Sequence, residues 1–268
     1  MRVVLKSMLL VVLLALMIAP ASSLAEDPAG DAEKGAAILD EFVEATGGLD
    51  AYGKVENRYQ VGKMIMPAMN LQIATKIWTA KPNLLYMKAT APEVGDIERG
   101  FDGEVFWENS MMTGPRILTG AELAEAKLES NFDAMAHWRD VYKSAVYVGD
   151  DSVNGRLCQQ VVVTSEDGME QSLYFDSESH LLAKVAMVSE TQQGNIPISI
   201  YPSDYRDVDG ILFSFKSTIN LLNQERVIAL DSVAQNVELP EGVFDLPAEI
   251  IELQKAQEAA PAPEEADE

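Results

Sequence analysis

Closely spaced turn signals between Asn154 and Lys216 limit what this chain can fold into more than any other stretch does. Two-residue signals occur at Asn154-Gly155, Asp167-Gly168 and Asp209-Gly210, and a polar corner spans residues 176–179. An Asn-Gly or Asp-Gly pair readily adopts the positive φ angles that a two-residue hairpin requires. Successive hairpins of this kind predict an antiparallel meander, in which each strand pairs with its neighbour in sequence.

The same pattern of short strands and turns continues over most of the 268 residues. In the predicted strand Ile211–Leu221, Ile211, Phe213 and Phe215 share one apolar face. A sheet of many strands curls, so its apolar face should become concave. The predicted fold is therefore mainly β (α+β), a curved antiparallel meander of about 11–12 strands.

One amphipathic helix is expected before the meander, from an N-cap at Asp31 to about Thr46. Four apolar positions fall on one face of this helix: Ile38, Leu39, Phe42 and Val43. Gly47-Gly48 should end it, because glycine adopts the left-handed C′ conformation without a steric penalty. A single amphipathic helix of this kind must bury its apolar face on the sheet.

A helical insertion between Thr113 and Val141 is expected to interrupt the meander. Thr119 and Glu122 have the spacing of a capping box, which predicts a helix that begins there. Asn131 is placed to cap a second short helix. That second helix would carry Phe132, Met135 and Trp138. An excursion of this length in a meander is typical of a functional loop or a cover.

The two ends of the chain are expected to lie outside the folded domain, which should span residues 26–247. Arg2 and Lys6 precede the apolar run Met8–Ile18, and small residues lead to a predicted signal-peptidase site after Ala25. The alternative is an uncleaved membrane anchor, for which the run is short. We expect export across the inner membrane to the periplasm. Residues 248–268 are rich in Ala, Pro and Glu and are predicted to be a disordered acidic tail.

The charge of the chain excludes one large class of partners. The formal net charge is −23, and removal of a signal that holds two basic and no acidic residues leaves −25. Such a chain is not expected to bind nucleic acid, nor an anionic membrane surface without help.

No constellation of catalytic or metal-binding residues is found in the sequence. His137 and His180 have no partner at zinc-ligand spacing, and Cys158 lies in a predicted strand as a buried, unreactive thiol. Three carboxylates are spaced loosely like calcium ligands: Asp204, Asp207 and Asp209. Solvated turn carboxylates are the preferred interpretation. We therefore predict no catalytic residue, no metal and no cofactor.

Methionine is concentrated in one third of the chain. The residues are Met64, Met66, Met69, Met87, Met111, Met112 and Met135, with Trp78, Phe106, Trp107 and Trp138 nearby. Methionine is flexible and suits surfaces that accept varied apolar partners, although it also fills ordinary cores. Both an apolar cavity and a conventional core remain open at this point.

Several segments, taken in their order, resemble the LolA/LolB-like outer-membrane lipoprotein-sorting superfamily. A signal peptide comes first, and the helix that follows ends in Ala45-Thr46-Gly47-Gly48. The matching segments are Phe101–Trp107, Tyr174–Asp176, Leu181–Lys184, Asp204–Arg206, Gly210–Lys216 and Leu239–Pro247. The resemblance implies a half-closed β-barrel, helices that lie in its mouth as a lid, and binding of acyl chains. Carriers of the family lock the lid with polar residues, for which Arg58 on the first strand is the candidate.

The sequence and the resemblance together favour an exported, non-enzymatic carrier or binder of lipids or lipoprotein acyl chains. The predicted lining residues are Leu39, Phe42, Val43, Leu71, Ile73, Met87, Trp107, Met187, Phe213 and Phe215, with Phe132, Met135 and Trp138 in the lid. The expected partners are a lipid or lipidated protein and a membrane-bound donor or acceptor protein, and a monomer is expected. The alternative is a periplasmic sensor or interaction protein that binds a protein partner on the same concave face. A lipid hydrolase would need a nucleophile and a base that the sequence does not reveal.

Overall fold

The computed structural model describes residues 30–92, 95–191, 194–222 and 224–259. The predicted signal peptide and the last nine residues of the predicted tail lie outside these ranges. Within them, no helix has the length and apolar character needed to cross a bilayer.

Helix α1 spans Ala32–Ala45, as the sequence predicted. The carboxylate of Asp31 accepts a hydrogen bond from the Lys34 amide at 2.8 Å, which satisfies one free donor of the first turn. Gly35 lies against the strand that follows the insertion, where an added Cβ would be 2.6 Å from the Ala145 carbonyl oxygen. The helix can approach the sheet this closely only because residue 35 has no side chain.

The described residues form thirteen strands in one antiparallel sheet. The strands are β1 Asn57–Met66, β2 Leu71–Ala80, β3 Leu84–Ala91, β4 Gly95–Phe101, β5 Phe106–Ser110, β6 Arg116–Ile117, β7 Tyr142–Val153, β8 Arg156–Ser165, β9 Glu170–Asp176, β10 Leu182–Thr191, β11 Gly194–Val208, β12 Ile211–Leu221 and β13 Gln224–Gln235. The predicted curved meander is confirmed. The additional strand is β6, whose two residues are too few to show an alternating pattern.

The strand order is β6-β5-β4-β3-β2-β1-β13-β12-β11-β10-β9-β8-β7. Every pair is formed by sequence neighbours except β1 and β13, which join a meander of six strands to one of seven. Their register runs from Arg58 opposite Gln235 to Ile65 opposite Val227. The sheet is not closed into a barrel, because β6 and β7 are not paired with each other.

Helix α3, Gly120–Ser130, shows how strongly the sheet curves. This helix contacts both β5 and β10, which are separated by seven strands in the sheet. In a flat sheet those strands would lie about 38 Å apart, whereas a helix of this length is only about 16 Å long. The sheet therefore bends around the helix. We call the face that α1 and α3 cover the inner face, and the opposite one the outer face.

The insertion differs from its predicted form in two ways. The predicted capping box is not formed: the Thr119 side chain makes no capping hydrogen bond, and the Glu122 carboxylate binds the Arg116 guanidinium at 2.7 Å. The predicted second helix from Asn131 is wrong over most of its length. Residues 132–137 form turns in which Asp133 has a φ of 51°, a left-handed conformation that ends a helix, and only Trp138–Val141 forms helix α4.

The predicted disordered tail is also wrong for residues 248–259. These residues form helix α5, Ala248–Ala259, which begins directly after Pro247 and contacts β6. Ile250 is fully buried, so part of this segment does pack against the domain. A short helix Leu49–Tyr52, α2, follows α1, and a single 3-10 turn at Pro67–Met69 connects β1 to β2.

The largest apolar core lies between α1, the insertion and strands β7–β9. Its most buried members are Leu39, Val55, Val161, Val163, Leu173, Phe175 and Ile211. Phe42 and Phe175 contact each other with ring centroids 5.5 Å apart. This core fixes α1 and the insertion on the inner face, and a smaller core around Phe101 and Phe106 holds α3.

Candidate ligand-binding site

A cavity of about 420 Å³ lies on the inner face between the insertion and the sheet. Its apolar walls come from α1, α2, the turns of the insertion and strands β2, β10, β11, β12 and β13. The apolar and aromatic lining comprises Phe42, Tyr52, Ile77, Ala134, Met135, Ala136, Leu182, Pro202, Tyr205, Leu212, Phe213, Phe215, Ile228 and Leu230. A cavity of this size and lining falls in the range of small-ligand sites.

Four of the predicted lining residues lie on this cavity: Phe42, Met135, Phe213 and Phe215. Phe42 comes from α1, Met135 from the insertion, and the two others from alternate positions of β12. The structure therefore brings together residues from all three elements that the sequence singled out.

Other predicted lining residues are buried in the core behind the cavity. Leu39, Val43, Phe132 and Trp138 are all at most 7% exposed. They pack α1 and the insertion onto the sheet, so they hold the cavity walls in position without contacting its interior.

Three predicted residues lie on the inner face of the six-strand meander and are not part of the cavity lining. Leu71 and Ile73 belong to a separate apolar cluster with Ala89 and Ala91. Met87 is opposite Ile77 in the register of β2 and β3. Met187 lines another concavity, of about 810 Å³, beside Leu128 of α3. These positions extend the apolar surface of the inner face beyond the cavity.

Trp107 was predicted to line the cavity, and this prediction is wrong. Its neighbour Phe106 packs under α3 on the inner face, so Trp107 points to the outer face. There it lies over Gly100, where an added Cβ would be 2.8 Å from the indole ring. Tyr59, Trp78 and Tyr86 continue the same row across β1, β2 and β3.

The methionine cluster divides between the interior and the surface. Met64 and Met66 pack on the apolar cluster around Ile73. Met69, Met111 and Met112 are 62%, 83% and 82% exposed at hairpin turns. The number of methionines in this region therefore does not measure the size of a cavity.

A buried ion pair joins the sheet to the insertion beside the cavity. Arg58 Nη1 on β1 lies 2.8 Å from Asp133 Oδ1 in the insertion, and both side chains are about 5% exposed. The Arg58 guanidinium also lies between two rings, 5.1 Å from the centroid of Phe132 and 4.7 Å from that of Phe213. Asp133 and Phe213 both line the cavity. The sequence pointed to Arg58 but gave no indication of its acidic partner.

A second contact fastens the end of the insertion to α1. Nη1 and Nη2 of Arg139 both donate to the Asp40 carboxylate, at 2.7 and 2.8 Å, and Trp138 Nε1 donates to the same group at 3.1 Å. The hydrogen bonds from Arg139 are the main reason why the pKa of Asp40 is lowered. The carboxylate therefore stays ionised, and this contact stays intact, well into the acidic range.

Helix α3 is held over the inner face at both of its sides. Ser189 of β10 donates to Glu125 at 2.9 Å, and Arg99 of β4 lies 3.2 Å from Glu129. Through these contacts α3 connects two parts of the sheet that are distant in strand order. They are polar and partly exposed, so they can be broken and remade at small energetic cost.

Two tyrosines that we did not predict supply hydroxyl groups to the cavity wall. Tyr52 donates to Thr46 Oγ1, and Tyr205 donates to the Leu182 carbonyl oxygen, each at 2.9 Å. Burial raises the pKa of both hydroxyls, so they remain protonated hydrogen-bond donors at neutral pH. For Tyr205, the sequence did offer a signal, because this residue lies in the segment Asp204–Arg206 that carries part of the family resemblance.

The residues considered for chemistry are occupied by local interactions. Cys158 is fully buried, and burial raises the pKa of its thiol. The Asp204 carboxylate binds Arg206 at 2.6 and 3.0 Å, whereas Asp207 accepts a bond from the Gly210 amide. No group of three or more His, Cys, Asp or Glu side chains with metal-binding geometry occurs within the described ranges.

Neither the known family models nor the curated proteins include a match to this chain. The fold does match solved structures. A putative outer membrane lipoprotein-sorting protein domain from Vibrio parahaemolyticus aligns with a TM-score of 0.55 at 13% identity, over 80% of this chain and 97% of that one. A LolA superfamily protein from Nitrosomonas europaea aligns with a TM-score of 0.55 at 12% identity, over 79% of this chain and 97% of that one.

A DUF1329 family protein from Desulfovibrio piger gives a TM-score of 0.57 at 14% identity, over 80% of this chain and 98% of that one. At these identities the likeness concerns the fold alone. The resemblance predicted from the sequence is confirmed at that level: this chain has the fold of the LolA superfamily and of outer membrane lipoprotein-sorting domains.

Proposed function

We propose that this protein is an exported, non-enzymatic carrier or binder of lipids or lipoprotein acyl chains. The observation that carries the proposal is the apolar cavity of about 420 Å³ under the insertion. Phe42, Phe213 and Phe215 offer it apolar walls, and Met135 offers a side chain that can adapt to different chains. The likeness in fold to lipoprotein-sorting domains supports the same function.

Burial of methylene groups supplies the affinity in this proposal. Each buried methylene contributes about 0.8 kcal/mol, so six of them contribute roughly 5 kcal/mol. That corresponds to a gain in affinity of roughly a thousandfold or more. A chain that is only partly enclosed would still be held well.

In the proposed cycle the insertion acts as the lid, and Arg58 locks it through Asp133. Loading and release then require this buried pair to separate. The predicted signal peptide supports a periplasmic location, where the protein would act in the trafficking of outer-membrane lipoproteins or lipids. A membrane-bound donor or acceptor protein would supply or receive the ligand.

Native mass spectrometry of the mature protein from its own host, followed by solvent extraction, tests the proposal. We expect a bound amphiphile, and we expect Phe213→Asp to abolish its retention because a charge then lines the cavity wall. Leu157→Asp is the matched control, since Leu157 is 59% exposed and is not part of the cavity lining. An empty wild-type protein that takes up no fluorescent acyl probe contradicts the carrier function.

The second candidate is a periplasmic interaction protein, and the exposed methionines favour it. Met69, Met111 and Met112 project from hairpin turns at one end of the sheet, where a protein partner could cover them. In this case the native complex contains a second polypeptide. Met111→Ser with Met112→Ser would then release that polypeptide and leave uptake of an acyl probe unchanged.

A further inference from the structure

The buried guanidinium of Arg58 uses only one of its nitrogens for hydrogen bonding. Nη1 binds Asp133 Oδ1, whereas Nε and Nη2 have no partner among the described residues, and neither does Asp133 Oδ2. Arg58 is 4% exposed. A buried donor without a partner is unfavourable, so a guanidinium in this state favours any ligand group that can accept its free hydrogen bonds.

The free donors belong to the edge of the guanidinium that suits a two-oxygen anion. Nε and Nη2 lie in one plane, and together they match the spacing of two oxygens in a carboxylate or a phosphate. Phe132 and Phe213 lie within cation–π distance of the guanidinium and keep it in place. The oxygens of a ligand would therefore meet a preorganised site.

Arg58 itself lies beside the apolar cavity, in contact with two of the residues that line it. Asp133, which binds Arg58, and Phe213, which lies against it, are both part of the cavity lining. An amphiphile with its chain in the cavity can therefore bring its head group to Arg58. The arrangement pairs one buried cation with an apolar volume, which is the pattern that recognises an anionic amphiphile.

We propose that the ligand carries a carboxylate or phosphate head group, and that this group replaces Asp133 as the partner of Arg58. The inference rests on the proposed function and specifies its ligand class and the trigger of the lid. Addition of a second anion beside Asp133 would leave a net negative charge in a desolvated place, which is strongly unfavourable. Exchange keeps the pair neutral and returns the Asp133 carboxylate to water.

Exchange of the partner also frees the insertion. Asp133 has a φ of 51°, in the left-handed region, and its turn is held by the ion pair and by two backbone contacts. The Phe132 amide donates to the Pro82 carbonyl oxygen at 3.1 Å, and the Ala136 amide donates to the Asp133 carbonyl oxygen at 2.8 Å. Binding of the head group would thus release the contact that holds the lid closed.

The test compares three probes with the same chain: dodecanoate, dodecyl phosphate and 1-dodecanol. Affinities are measured at pH 8 by displacement of the neutral fluorophore N-phenyl-1-naphthylamine from the mature protein. We expect the wild type to bind at least one of the two anions ten times more tightly than 1-dodecanol or better. Which anion binds more tightly distinguishes a fatty-acid head group from a phosphate ester.

The variant Arg58→Gln with Asp133→Asn removes both charges and leaves no unpaired buried ion. We expect it to bind all three probes within about twofold of one another, with the affinity for 1-dodecanol retained. The variant Asp133→Asn alone should prefer the anions over 1-dodecanol more strongly than the wild type does. The side chain at position 133 is then neutral and no longer competes with the anion for Arg58. In the wild type, the anion that binds more tightly should accelerate hydrogen exchange at the Phe132 and Ala136 amides, and 1-dodecanol should not.

Equal wild-type affinity for the three probes overturns the head-group inference and leaves the carrier function standing. Tight anion binding with slower exchange at the two amides overturns the exchange of partners. Failure of all three probes to bind contradicts the proposed function itself. The two proposals therefore fail in different experiments.

Discussion

At the scale of single residues, the buried ion pair Arg58–Asp133 is the feature whose burial costs the most free energy if either partner is removed. Each charge is acceptable at about 5% exposure only because the other is present. The aromatic rings of Phe132 and Phe213 add contact to the guanidinium but cannot replace a counter-ion. The pair therefore acts together with the apolar core around Phe132 and Trp138 to hold the insertion on the sheet.

Asp133→Ala is expected to lower the free energy of unfolding by about 3–5 kcal/mol, because Arg58 then remains buried without a partner. Arg58→Met combined with Asp133→Ala should lower it by less, since no charge is left inside. Urea unfolding followed by circular dichroism measures both values. If the single variant is as stable as the wild type, Arg58 is hydrated and the lock is not buried.

At the scale of elements, four polar contacts that differ in strength fasten the insertion. The pair Arg58–Asp133 is buried, whereas Arg139–Asp40, Ser189–Glu125 and Arg99–Glu129 are partly exposed. Exposed pairs contribute little to stability and separate easily. Motion of the insertion should thus be limited mainly by the buried pair, and the exposed pairs guide where it returns.

The junction between α1 and α4 should respond to acid in a defined direction. The pKa of Asp40 is lowered in the folded protein, mainly by Arg139, so its contribution to stability is present at pH values above the ordinary value of 3.8. That contribution is lost as the pH falls from about 3.8 through the lowered pKa. We expect the fluorescence of Trp138, followed in a variant that lacks Trp78 and Trp107, to change over this window. Asp40→Asn should remove the change, and an identical titration in that variant would contradict the assignment.

At the scale of the whole molecule, one helix connects parts of the sheet that lie far apart in strand order. Helix α3 contacts β5 and β10, so the curvature of the sheet and the position of the helix depend on each other. The cavity exists because the inner face is concave, and it is enclosed because the insertion crosses that face. Access to the cavity is thus a property of the assembled domain and of no single strand.

Fixing α3 to β10 should block ligand uptake reversibly. In a Cys158→Ala background, Glu125→Cys and Ser189→Cys place two thiols where a 2.9 Å hydrogen bond now joins the side chains. A short, reducible bis-thiosulfonate would bridge them, and we expect uptake of an acyl probe to fall at least tenfold and to recover on reduction. The two single-cysteine proteins treated with the same reagent are the controls. Unchanged uptake in the bridged protein would show that the ligand enters without movement of α3.

Local patterns in the sequence were sufficient for α1, for all strands except β6 and for the type of sheet. Asp31 begins α1 and Gly47-Gly48 ends it, and the Asn-Gly and Asp-Gly pairs mark the hairpins, because caps and turns depend on a few adjacent residues. Phe213 and Phe215 could be assigned to one face because they alternate with polar residues. The same reasoning failed at Trp107, since its neighbours Val105 and Phe106 are also apolar and alternation cannot choose between two faces.

Only the tertiary structure decided what meets across the concave face. Arg58 and Asp133 are 75 positions apart, and β1 pairs with β13 although most of the chain lies between them. No local rule relates the members of either pair. The tail shows the same limit, because Ile250 is buried only where the assembled domain offers it a surface. The sequence by itself determined the strands, the turns and the apolar stripe, which depend on neighbours along the chain. The lid, its buried lock and the cavity beneath it depend on packing between distant segments, which only the folded chain brings together.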